Sequence, residues 1–146
     1  MLVLALDPGK STGYAMVQVI DRQMKLIDIG VEKDEQVKYI GELILQADVV
    51  ICEDFKIRPN MARAGNFDYD NMVAPRVIGK IELLCQMGNK ELVKQQASLK
   101  PMGFAYMQLR YVKGKKGTHA EDALSHAGYY LVKNQLALPL KHALSS

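Results

Sequence analysis

Apolar residues fall in short runs early in the chain and in wider stripes later, and the change of period predicts the elements. Leu2 to Asp7 (LVLALD) is a run that stops at Pro8-Gly9, the pattern of a buried strand ended by a turn. Gly13 to Ile20 and Met24 to Val31 read as second and third strands, and the short link Asp21-Arg22-Gln23 makes the three an antiparallel meander. Asp34 to Ala47 carries Val37, Ile40, Ile44 and Ala47 on one stripe, which predicts a helix with Asp34 as its N-cap. Val49 to Phe55 is a strand reached through that helical crossover, so it should lie parallel to the first.

Residues 56–70 show no period and read as a 15-residue surface loop, long enough to suspect a role. Val73, Val77, Ile81, Leu84 and Cys85 then mark a helix from Asn71 to Met87, ended by Gly88-Asn89. Glu91 to Gln96 is a short fifth strand. Residues 98–117 give no clear pattern, beyond an exposed loop at Lys113 to Gly117 (KGKKG). Thr118 can cap a last helix from His119 to about Leu136, with Ala123, Ala127, Tyr130 and Leu131 facing the core, and the tail after Pro139 reads as loose. The order β-β-β-α-β-α-β-α implies an α/β fold, a mixed sheet with helices on its faces.

Composition narrows the class. With 146 residues, 49% hydrophobic and 24% charged, the chain fits a single domain spanning 1–146. Cys52 and Cys85 both lie in apolar runs and read as reduced core residues, not as a disulfide framework or a metal quartet. No apolar run approaches the ~18–20 residues of a membrane span, and Met1 leads straight into a strand. A cytoplasmic protein without membrane partners is expected. The net charge of +3 is unevenly spread: residues 1–54 hold five Lys/Arg against ten Asp/Glu, and residues 90–117 hold seven against one. An acidic region facing a basic surface is compatible with a polyanionic partner.

The chemistry gathers around three carboxylates. Asp7 and Glu53 end two parallel strands, and ligands of open α/β sheets bind outside such ends. Asp122 adds a third from the last helix, with His119 three residues earlier on the same face. Oxygen ligands from separate elements suit Mg²⁺ or Mn²⁺, and two ions per site could activate water and stabilise the leaving oxygen of a phosphodiester. Blander roles exist for each. Asp7 can cap the following turn, Glu53 or Asp54 can pair with Arg58, and Asp122 can complement the helix dipole. His126, four residues after Asp122, can extend the acidic face or be a hydrogen-bonded helical histidine. Gly9 and Gly13 allow a tight reversal and a close backbone approach to a phosphate. The Gly9-Lys10-Ser11 triplet is not a phosphate-binding P-loop, because the glycine required at position 4 is Leu4.

Three ordered motifs, ALDPGKSTGYAMV, VVICEDF and HAEDALSHAGYY, together resemble the RuvC family of Holliday-junction resolvases, of the RNase H-like superfamily. The resemblance implies a five-stranded mixed sheet of order 3-2-1-4-5, a homodimer, and Mg²⁺-dependent nicking of four-way DNA junctions, with Mn²⁺ as a substitute. It also implies that Asp7, Glu53 and Asp122 are metal ligands, and that His119 binds metal or positions water. Relatives place an aromatic residue just after the strand glutamate to stack on an opened base, and Phe55 stands near that place. The compact length resembles phage-encoded members, which tend to accept a wider range of branched DNA. Arg58, Arg63, Arg76, Lys113, Lys115 and Lys116 are candidate phosphate contacts. Two other readings stay open. One is a non-catalytic DNA-structure-binding protein on the same fold; the other is a sugar or acetate kinase-like phosphotransferase, which would need a second domain and a second Gly-rich loop.

Overall fold

A computed structural model describes residues 1–56, 72–109 and 118–142. Strands β1 (Leu2–Asp7), β2 (Thr12–Ile20) and β3 (Gln23–Glu32) form the expected antiparallel meander. Strands β4 (Val49–Glu53) and β5 (Glu91–Gln95) add to the free side of β1 as parallel neighbours, giving the order β3-β2-β1-β4-β5. Helices α1 (Lys38–Gln46), α2 (Val73–Met87), α3 (Lys100–Tyr106) and α4 (His119–Lys133) flank this sheet. The sheet and its order are those expected, and no helix among the described residues is long and apolar enough to cross a membrane.

Strand parity divides the interior into two layers, since alternate side chains face opposite sides of a sheet. Leu4, Leu6, Val50 and Cys52 face α1 and α2, where Ile40, Ile44, Val77 and Ile81 complete a dry aliphatic layer. Val3, Ala5, Val49 and Ile51 face α4, meeting Ala123, Leu124, Ala127 and Leu131. The same parity carries Asp7 and Glu53, next along β1 and β4, onto the α4 side. Cys52 and Cys85 are buried free thiols of the first layer, and burial pushes both thiols up from their ordinary pKa.

Several boundaries differ from expectation for identifiable reasons. Helix α1 begins at Lys38, not Asp34, and its N-cap is Val37 in the left-handed region at φ 50°. The Glu32 carboxylate, at the end of β3, accepts the backbone N–H groups of Tyr39 and Ile40 at 3.1 and 2.9 Å. A distant carboxylate therefore satisfies the orphan donors that a local cap would take. Asp34 instead closes a turn, accepting the Gln36 N–H at 2.9 Å. Strand β4 ends at Glu53, short of Phe55, and α4 ends at Lys133, short of Leu136. Helix α3 was not expected at all. Just past Pro139 the tail is tied down, where it was expected to be loose: Leu140 donates its N–H to the Tyr106 carbonyl at 2.9 Å and accepts from the Gln108 side chain at 3.1 Å.

Candidate active site

Glu53 follows Cys52, which pairs with Leu6, so the side chains of Asp7 and Glu53 stand side by side at the C-terminal ends of β1 and β4. Gln95, opposite Glu53 on β5, extends the row. Above the row lies the first half of α4. Thr118 caps that helix as expected, its hydroxyl accepting the Glu121 N–H at 3.1 Å. One helical turn on, Asp122 and His126 share the face turned to the strand ends.

What seats α4 this closely is missing side chain. A Cβ on Gly13 would lie 2.0 Å from the His119 carbonyl oxygen, and one on Gly103 would lie 2.0 Å from that of Ser125. Gly13 thus serves the approach of the α4 backbone to β2, where the sequence had suggested an approach to phosphate.

The contacts within the site are specific. His119 Nδ1 is 2.9 Å from Asp7 Oδ2. A carboxylate oxygen accepts, so Nδ1 donates, and in the neutral ring the lone pair is left on Nε2. His126, fully buried, lies 2.9 Å from Glu53 Oε2 through Nε2 and 2.8 Å from Gln95 Oε1 through Nδ1. Lys100, at the start of α3, places Nζ 3.3 Å from Glu53 Oε2 and 3.5 Å from Asp122 Oδ2.

These neighbours set opposite electrostatics on adjacent acids. Burial first, then the negative charge of Glu53, pushes the Asp7 carboxyl up to about 6; Asp122 adds to the rise, while His119 and Lys100 oppose it. Burial also acts to raise Glu53, but the His126 hydrogen bond and Lys100 outweigh it and hold that carboxyl below its ordinary value. Lys100 in turn is held above its usual value, the pull of Glu53, Asp122 and Asp7 overcoming its own desolvation.

Among the described residues no three His, Cys, Asp or Glu side chains already stand as a metal-ligand group. The donor chemistry still fits a hard divalent cation. Three carboxylates converge from β1, β4 and α4, and the site has drawn an ammonium group between two of them. Positive charge collects there.

The remaining candidates lie elsewhere or outside the described residues. Phe55 is half-buried and packs against the layer under α1 and α2. Arg76, on α2, pairs with Glu35 at 3.5 Å. Arg58, Arg63, Lys113, Lys115 and Lys116 fall outside the described residues, as does the suggested pairing of Arg58 with an acid. Lys100 and Gln95 were not singled out from the sequence. One is a lysine in a stretch without a legible period, the other a polar strand residue, and nothing local marks either. Parity alone could have placed Gln95 beside Glu53.

No protein-family model matches the chain, and no curated protein matches it in sequence. Solved structures do match in fold. A Thermus thermophilus RuvC in complex with a Holliday-junction substrate superposes with a TM-score of 0.65 at 16% identity, over 96% of this chain and 100% of that one. The fowlpox virus resolvase, solved with Holliday-junction DNA, gives 0.52 at 16% identity over 93% and 99% of the two chains. The yeast mitochondrial Holliday-junction resolvase Ydc2 gives 0.53 at 13% identity over 92% and 79%. The chain therefore has the RNase H-like fold that RuvC and other Holliday-junction resolvases share.

Proposed function

We propose that residues 1–146 form a single nuclease domain that cleaves branched DNA, four-way junctions above all, with Mg²⁺ or Mn²⁺ as cofactor. The observation that carries this reading is the convergence of Asp7 and Glu53, at the C-terminal ends of two parallel strands, with Asp122 and His119 of α4, the Lys100 ammonium lying between Glu53 and Asp122. Asp7, Glu53 and Asp122 would hold two ions. When bound, such ions supply a lowered pKa for the attacking water and charge neutralisation at the departing 3′ oxygen. His119, held through Nδ1 by Asp7, would have Nε2 left to bind a metal or to position water. Its half-exposed ring suits a group that meets substrate. Phe55, Arg58, Arg63, Arg76, Lys113, Lys115 and Lys116 would contact DNA, the cations through phosphates. A homodimer acting in the cytoplasm would offer two sites to the matched strands of a junction.

A second reading has one observation in its favour. Lys100 already pairs with two of the acids, as it would in a protein that binds junctions without cutting them.

A labelled immobile four-way junction, incubated in Mg²⁺ beside linear duplex and beside the Asp7→Asn variant, separates the two. Paired symmetric nicks on the junction, absent on duplex and reduced about 10²-fold or more in the variant, are expected. Metal-independent junction binding with no product in Mg²⁺ or Mn²⁺ would establish the binding protein instead.

A further inference from the structure

His126 is fully buried, a polar ring in the layer between α4 and the sheet. Both of its ring nitrogens face partners on other elements, Glu53 on β4 and Gln95 on β5. A carboxylate can only accept, so Nε2 must carry its hydrogen toward Glu53. The Gln95 carboxamide can turn either its oxygen or its nitrogen to Nδ1, so this end adapts to the tautomer that Glu53 sets and braces the ring in place. The ring cannot swing away either. Its helix is seated by backbone contact at Gly13 and Gly103, where no side chain gives room to shift.

The consequence falls on Glu53. A glutamate at a strand end has three rotatable bonds, and its two oxygens are interchangeable until something distinguishes them. Here Oε2 takes both His126 Nε2, at 2.9 Å, and Lys100 Nζ, at 3.3 Å. Among the described residues, Oε1 has no hydrogen-bond partner.

We propose that His126 is a positioning residue which, braced by Gln95, locks the Glu53 carboxylate so that Oε1 is presented to the divalent cation. This rests on the reading of Glu53 as a metal ligand. Outer partners that orient ligating groups are worth about 10–100-fold in metal affinity, and that is the size of effect expected here.

Two substitutions split the two bonds of the ring. In His126→Gln the amide nitrogen stands close to where Nε2 stood and can still reach Glu53. In His126→Asn it stands close to Nδ1, reaching Gln95 but not Glu53. Mn²⁺ binding is measured by calorimetry for the whole chain, wild type, both variants and Glu53→Gln. The Mn²⁺ concentration for half-maximal junction cleavage is a second readout, and circular dichroism reports folding. His126→Asn should weaken Mn²⁺ binding about 10–100-fold, with His126→Gln within about threefold of wild type by the same measure. If Glu53→Gln weakens binding but both His126 variants match wild type, or both lose affinity alike, the positioning role is wrong while Glu53 remains a ligand. If Glu53→Gln also binds as wild type, the ligand reading and the positioning role fall together.

Discussion

Helices α2 and α4 are both fifteen residues long and cover opposite faces of one sheet, but they are held by different means. Helix α2 meets the sheet through side chains: Val73, Val77, Ile78, Ile81 and Cys85 form an uninterrupted apolar stripe. Such a contact is strong and forgiving, because each side chain can give a few tenths of an ångström. Helix α4 meets β2 and α3 through backbone, at Gly13 and Gly103, and its buried band includes Ser125 and His126. That contact has little freedom. The face that needs only to exclude water is packed with aliphatic bulk, and the face that carries Asp122, His119 and His126 is fixed more tightly, as positioned chemistry requires.

The contrast predicts different consequences for similar disturbances. Gly13→Ala should have the largest effect, since its new methyl group meets the main chain of His119. A loss of about 3 kcal/mol or more is expected in denaturant unfolding, together with a fall of roughly tenfold or more in junction cleavage per folded molecule, the scale on which misplaced groups act. Cleavage that survives intact would show that α4 need not sit where it does. Ile81→Ala, in the aliphatic layer, should cost about 2–4 kcal/mol through the cavity it leaves. Its cleavage rate, corrected for the folded fraction, should stay near wild type.

The third test concerns the acid row itself. Because the Asp7 carboxyl is raised from 3.8 to about 6 in the fold, the folded chain holds that proton more tightly than the unfolded one. Its contribution is favourable below pH 3.8 and is lost as pH climbs toward 6. Asp7→Asn does not titrate, so without metal it should gain about 2–3 kcal/mol on wild type across that window, the difference between the two proteins then staying constant at higher pH. Thermal melts of both proteins from pH 4 to 8 in chelator would check this, and a difference independent of pH would refute it. The smallest effect belongs to Gly79→Ala on α2. Among the described residues nothing lies within 4 Å of the added methyl group, so a gain of about 0.5–1 kcal/mol in chemical unfolding follows from helix propensity.

Much of the site was legible because it follows strand parity and helical spacing. Asp7 and Glu53 end apolar runs, and a period of two carries both to one side of the sheet. Thr118, Asp122 and His126 stand four residues apart in turn, which places the acid and the histidine on one helical face and the cap at its start. The N-cap of α1 was misread for the complementary reason. Asp34 is an ordinary capping residue in a local window, but Glu32 reaches the helix from the end of another element. Lys100 illustrates the same limit, since a lysine's partner is chosen across the fold and not along the chain.

Local periodicity and residue type thus determined by themselves the five strands, three of the four helices, the antiparallel meander, β4 parallel to β1, and the three candidate acids; the full sheet order was implied by the family resemblance. The former depend on interactions between residues a few positions apart, and on the rule that parallel strands need a crossover. Only the tertiary structure decided that His126 would face Glu53 and Gln95, that Lys100 would sit between two acids, and that Gly13 would admit α4. Each joins residues from separate elements in close contact, the polar ones at 2.8–3.5 Å, and spacing along one chain carries no information at that precision.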